Sequence, residues 1–354
     1  MKLLAYVSFV LLAVFGLQSC SEDFKIGAPY KNVMVVYGLI AKSDSAHYVK
    51  ITRGYFDEAG NNITSAKNID SLYHSDLTVS IEELNSAGTL VKTIPCQKVN
   101  LKDEGIIKDT GVFVSDPAYA YKFKDTLVKS NKYRLVVVDN TNGKRVQSTT
   151  SIISQDASDF KTPLMTLGFN GYITPFDFSK EAKNQEIRWS PPANSAIVDI
   201  FMKFDYVEEN TVTGITKDRT VFVPLVRNSI TPVGETKNAF ISRSGFIGLL
   251  TEALGAGGSV DVIKRYVDTP AVYYTAGGVR LKEFIDATRA QGGITADEIR
   301  PVYRGGLEGD DVYGLWDTRV TRIIRSVPFT KETVDSMIFS PAFRNLNIVG
   351  VSPK

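Results

Sequence analysis

The sequence predicts a mainly β chain in two units, a β-sandwich followed by a β-rich domain carrying a few short helices. Three observations predict it. Runs rich in β-branched and aromatic residues recur between Val33 and Ile152. Clusters such as DEAGNN, NSAG, VKSN and DNTNG separate several of those runs. Helical spacing of apolar residues appears only beyond about residue 238.

The first unit, residues 33–155, contains VMVVYGLI, HYVKITRGYF, DLTVSIEEL, TLVKTIPCQKV, AYAYKFK, KYRLVVVD and KRVQSTTSI. Seven short strands over one such span predict an immunoglobulin-like sandwich. Leu77, Val79 and Ile81 alternate with Thr78 and Ser80, which assigns them to a buried face. Asn85-Ser86-Ala87-Gly88 marks the hairpin after that strand. A polar seam with Pro163 separates the units, and the second spans residues 165–354.

The second unit opens with EIRWSPP, IVDIFMKFDYVEE and RTVFVPLVR. Val198, Ile200, Met202, Phe204 and Tyr206 alternate with Asp199, Lys203 and Asp205 in a long, half-buried strand. Pro224 cannot donate to a ladder, so its strand is expected at an edge. SRSGFIGLLTEAL and GGVRLKEFIDATRAQGG carry helical spacing, and Thr295-Ala296-Asp297-Glu298 has capping-box form. A last helix is expected over Lys331–Ile338, capped by Thr330.

The beginning of the chain is read by different rules. Lys2 precedes an apolar run from Leu3 to Leu17, the length of an export signal and short of the about 20 residues a span requires. Glu22 and Asp23 follow it, where a stop-transfer helix would be followed by Lys or Arg. Leu17-Gln18-Ser19-Cys20 resembles the bacterial lipobox. By that resemblance residues 1–19 are removed, Cys20 becomes the acylated first residue, and the membrane is reached through its lipid. Residues 20–32 are then a tether. Ser21, Glu22 and Asp23 resemble the acidic export signal that sends lipoproteins to the outer face of the outer membrane.

Composition narrows function without naming it. With 43% hydrophobic and 23% charged residues the chain is globular rather than disordered. A formal net charge of +2 lacks the basic excess of a nucleic-acid binder. Cys96 is the only cysteine besides Cys20, so it is expected as a small buried core residue rather than a disulfide partner.

Catalytic signatures are sparse. His47 and His74 are the only histidines and are expected at the surface or in turns. No HExxH, Cys/His cluster or GxSxG is present, so the sequence points to no catalytic residue, metal or cofactor. The glycines of LGAGGS at 254–259 follow a helical run, which makes them a helix stop and not a phosphate cradle. Glu308, Asp310 and Asp311 form the densest acidic cluster, without the spacing of a calcium loop. Tyr313 and Trp316 follow them and are expected as an exposed pair beside the acidic loop. The five residues are the candidate ligand-binding set, with a glycan or peptide as the ligand class. Trp189 lies in a strand and is expected in the core.

CSEDF, VMVVYGLI, NKYRLVVVDNTNGKRVQSTTSI, EIRWSPPANSAIVDIFMKFDYVEE, YGLWDTR and FRNLNIVG together give the chain a likeness. It resembles a class of Bacteroidota surface lipoproteins with an N-terminal immunoglobulin-like domain, often encoded beside TonB-dependent receptors. The resemblance implies a non-enzymatic binding or accessory role at the cell surface, with such a receptor as partner. The alternative is a surface glycan hydrolase using carboxylates of the second unit as acid and base.

Overall fold

The computed structural model describes residues 33–54, 67–111, 114–153, 175–230, 235–255, 262–290 and 303–352. Cys20, Ser21, Glu22, Asp23 and the capping-box sequence at 295–298 lie outside the described residues.

The chain is mainly β, as its patterning predicts. In the first unit the strands are β1 (Val33–Ile40), β2 (His47–Gly54), β3 (Leu77–Leu84), β4 (Leu90–Pro95), β5 (Gln97–Asn100), β6 (Tyr119–Phe123), β7 (Lys132–Asp139) and β8 (Lys144–Ser151). A single helical turn, α1 (Ile69–Leu72), lies between β2 and β3. The order β1-β2-β6-β5 forms one layer and β4-β3-β7-β8 the other. Alternation decides which side chains meet between them. Met34, Val36, Val49, Ile51 and Phe123 from one layer pack with Val79, Ile81, Leu135, Val137 and Val146 from the other. Leu77, expected on that buried face, is only partly buried against it.

TLVKTIPCQKV is two strands and not one. β4 pairs with β3, whereas β5 pairs with β6 in the opposite layer. The chain crosses between layers at Cys96, whose N–H donates to the Val79 carbonyl at 2.9 Å.

The second unit contributes β9 (Gln185–Trp189), β10 (Ile197–Asn210), β11 (Ile215–Ser229), β12 (Lys237–Ile241), β13 (Ile263–Val267), β14 (Ala271–Gly277), β15 (Val312–Ile324) and β16 (Ile348–Val351). Its helices are α2 (Arg243–Leu254), α3 (Val279–Ala290) and α4 (Lys331–Phe339), followed by a 3₁₀ turn at Pro341–Leu346. Ser242 caps α2 by accepting from the Gly245 N–H at 3.0 Å, and Thr330 caps α4 by accepting from Thr333 at 3.2 Å. Val198, Ile200, Met202, Phe204 and Tyr206 of β10, with Val272 and Tyr274 of β14, pack with Phe246 and Leu250 of α2, Met337 of α4 and Phe343. Trp189 joins this core, as expected. β11 pairs only with β10 among the described residues, in keeping with Pro224 as an edge residue.

The two units share one sheet. β15 runs parallel to β1, from Met34 opposite Val312 to Ile40 opposite Thr318, and antiparallel to β14 on its other side. The ten-stranded sheet therefore reads β16-β13-β10-β14-β15-β1-β2-β6-β5, with β11 beside β10. A parallel neighbour more than 270 positions along the chain has no local signature, and the sequence motifs around it read as a loop.

Trp316 fixes this seam. It is fully buried, and its Nε1–H donates to the Tyr133 carbonyl at 3.0 Å. Gly38, its register partner on β1, makes the space: a Cβ there would sit 2.7 Å from the indole Cε3. Gly38→Ala is expected to cost about 1–3 kcal/mol through displacement of the ring. Urea unfolding checks this, and an unchanged midpoint would mean the ring moves freely.

Candidate functional site

The acidic sequence 308–311 is placed against the β7–β8 hairpin. Glu308 and Gln147 exchange backbone bonds, Gln147 N–H to Glu308 O at 3.1 Å and Glu308 N–H to Gln147 O at 2.8 Å. The Gln147 amide also donates to Glu308 Oε2 at 2.6 Å. The Asp311 carbonyl accepts from the Met34 N–H at 2.9 Å and from Lys144 Nζ at 3.2 Å. The loop is thus a clasp that holds the start of β15 against β8 and β1.

Beside the clasp is an open cleft of about 450 Å³ lined by Asn142, Gly143, Lys144, Arg145, Gly309, Asp310 and Asp311. Asp310 is exposed there and Tyr313 is partly buried, opposite Val35 on β1. The structure therefore brings Asp310 and Asp311 to one open surface and gives Glu308 a structural partner. Trp316 is a correction. It was expected as an exposed partner of Tyr313, but its indole faces the sandwich core because successive strand residues point to opposite sides.

A second depression, of about 240 Å³, lies over Lys203, Asp205, Asp218, Arg219 and Asp268. Its acids are engaged: Lys203 pairs with Asp205 at 2.7 Å, and Thr220 donates to the same carboxylate. Among the described residues no three His, Cys, Asp or Glu side chains are placed to hold a metal ion.

Both histidines depart from expectation. His47 is 2% and His74 5% exposed. His47 opens β2, and His74 lies between α1 and β3. His47 stacks on Phe123 with ring centroids 4.7 Å apart. His74 Nδ1 lies 3.2 Å from Asp139 Oδ2, and Asp139 also accepts from the Thr141 N–H at 3.0 Å. This Asp–His pair faces no serine or cysteine in the bonds it makes and orders the β7–β8 turn beneath the clasp.

Burial is the first cause that lowers the pKa of both rings, outweighing Asp139 at His74 and Asp44 at His47. The unfolded chain therefore takes up protons first as pH falls below the ordinary histidine value of 6.5. Stability should be full above that value and decline as pH drops towards the lowered folded pKa. His74→Gln should flatten the decline. Urea midpoints measured from pH 8 to 5 check this, and stability rising on acidification would contradict it.

Cys96 is partly buried, and burial pushes its thiol up to about 12, which removes thiolate reactivity. Gly255 ends α2 as expected, its N–H donating to the Thr251 carbonyl at 3.0 Å. The rest of LGAGGS lies outside the described residues.

Sequence reasoning missed Asp317. Its side chain is 3% exposed, accepts from the Leu281 N–H of α3 at 2.7 Å and from the Thr150 hydroxyl of β8 at 2.8 Å. Gly278 permits this approach, since a Cβ there would lie 2.2 Å from Asp317 Oδ1. The paired glycines before α3 are the one sequence signal that marks it.

No protein-family model matches the chain, and a search of curated proteins finds no match. Among the described residues no helix is long and apolar enough to cross a membrane.

Proposed function

We propose that the protein is an outer-membrane, surface-displayed lipoprotein that acts as a non-enzymatic binding or accessory protein for a TonB-dependent transporter. The observation that carries this reading is the order of residues at the start of the chain. An apolar run ends at Leu17, the lipobox-like Leu17-Gln18-Ser19-Cys20 overlaps its end, and Ser21-Glu22-Asp23 follows. Acyl chains on Cys20 hold the body at the membrane.

Binding is favoured over hydrolysis by the exposed surface of the second unit. A retaining or inverting glycosidase needs two carboxylates facing each other across its substrate. Asp205, in one cleft, is bonded to Lys203 and Thr220, whereas Asp310 and Asp311 of the other lie on an open surface beside the clasp. The sheet face turned away from the second core offers an apolar row instead. Phe222 is 51% exposed and meets Tyr273 edge to face at 5.4 Å, and Tyr273 is opposite both Phe201 and Ile323. Exposed contiguous apolar surface of this kind suits a protein partner.

The first unit is proposed as immunoglobulin-like. Its layers, β1-β2-β6-β5 and β4-β3-β7-β8, follow the A-B-E-D and C′-C-F-G orders of that fold. Tyr133, at the start of β7, accepts from the Val128 N–H at 2.8 Å, the position of the tyrosine corner.

Isolation of the protein from native membranes with its lipid intact tests the role. Recovery of a TonB-dependent receptor in the complex is the expected result, and clean recovery of the protein alone counts against it.

A further inference from the structure

The sheet face opposite the sandwich core carries a cation, Lys50, with no counter-charge among the described residues. Val49 and Ile51 of β2 enter the core, so Lys50 between them projects to the other face. Lys50 is partly buried and makes no hydrogen bond or ion pair with any described residue. Nearby acids are already engaged. Glu104 bonds Lys122 and the Tyr48 hydroxyl, and Glu283 bonds Arg280 and the Tyr303 hydroxyl. Removing an ammonium from water without a partner is unfavourable, and a second cation makes it more so. Lys108, whose Nζ donates to the Val114 carbonyl at 2.7 Å, is that second cation. With burial as the first cause, its charge holds the Lys50 amine below the ordinary lysine range.

An aromatic shelf adjoins the amine. Tyr37 of β1 is the register partner of Lys50, so their side chains rise side by side on the same face. Tyr37 is 40% exposed and is braced edge to face by Phe284 of α3 at 5.9 Å. Phe284 is itself braced by Tyr303 at 5.8 Å. A ring braced in this way and 40% exposed presents apolar surface beside a positive charge.

We propose that Lys50 and Tyr37 form a binding site for an acidic sugar, the carboxylate paired with the Lys50 ammonium and the C–H face of the ring stacked on Tyr37. A carboxylate satisfies the donor capacity of the amine through a charge-assisted bond, and Lys108 adds attraction in place of repulsion. A neutral sugar would keep the stacking and leave the cation unpaired. A free inorganic anion would pair the cation and forgo the stacking.

The site deepens the binding-protein reading and rests on it. The test is calorimetric titration of the detergent-solubilised mature chain with D-glucuronate, D-glucose and inorganic sulfate. Glucuronate is expected to bind, with glucose silent and sulfate weaker. Lys50→Gln should weaken glucuronate binding about ten-fold, the value of one charge-assisted hydrogen bond. Tyr37→Ser should weaken glucuronate while leaving sulfate unchanged, and melting curves of both variants establish that they fold. Silence with glucuronate, or equal binding by Lys50→Gln, would overturn the site. Sulfate binding as tightly as glucuronate would overturn the sugar assignment. Receptor recovery is measured separately, so a failed titration beside a recovered receptor rejects only the ligand class.

Discussion

Asp317→Ala is expected to lower folding stability by about 3 kcal/mol, and Asp317→Asn by about 1 kcal/mol. The carboxylate joins three elements that are distant in sequence: β15 carries it, Thr150 of β8 donates to one oxygen, and Leu281 at the start of α3 donates to the other. Leu281 supplies one of the backbone donors that a helix start leaves without an intrahelical acceptor. Alanine leaves that N–H and the Thr150 hydroxyl unpaired in a buried place, and each unpaired group costs about 1–3 kcal/mol. Asparagine keeps the shape. Its oxygen can accept from Leu281 while its amide donates to the Thr150 oxygen. Burial pushes the Asp317 pKa up, so the neutral isostere also avoids burying a charge. Urea unfolding of the three proteins checks the order. Equal losses for Ala and Asn would show that the charge, rather than the pattern of bonds, holds the junction.

Cys20→Ala is expected to abolish recovery of the mature protein in the membrane. Under the proposed lipidation each buried CH₂ would contribute about 0.8 kcal/mol, so two or three acyl chains would supply nearly all of the anchoring free energy. The remaining surface offers little in compensation. Net charge is +2 for the whole sequence, far from the polybasic character that holds a protein to anionic lipid. Fractionation of cells expressing the variant should move the protein from the membrane pellet to the soluble fraction or leave an unprocessed precursor. Undiminished recovery of mature protein in the pellet would contradict the anchoring role of Cys20.

Local patterning carried much of the fold. VMVVYGLI and KYRLVVVD read as strands with the bounds of β1 and β7, because alternation and β-branched residues act within the strand itself. α2 was legible from spacing and α4 from the cap Thr330, whereas the Ser242 cap of α2 emerged only in the structure. Contacts between distant parts were not. Cys96 interrupts a continuous β-rich run because the chain changes layers there, and composition does not mark which layer a strand joins. β15 was hidden because its neighbour β1 lies at the other end of the sequence.

The candidate site was legible in part. Proximity of Glu308, Asp310 and Asp311 was evident from the chain itself. That Glu308 would bond Gln147 depended on the β7–β8 hairpin reaching the loop. Trp316 reads as exposed beside a Gly- and Asp-rich loop, yet the parity of β15 turns it inward over Gly38. His74 looks like a surface residue in SLYHSD, and only Asp139, 65 positions away, explains its burial.

The most direct measurement of the proposed role is the mass of the N-terminal peptide released from the membrane-bound protein. The account predicts a peptide beginning at Cys20 and carrying a diacylglyceryl group with further acylation. A peptide retaining residues before Cys20, or one starting at an unmodified Cys20 in freely soluble protein, would contradict it.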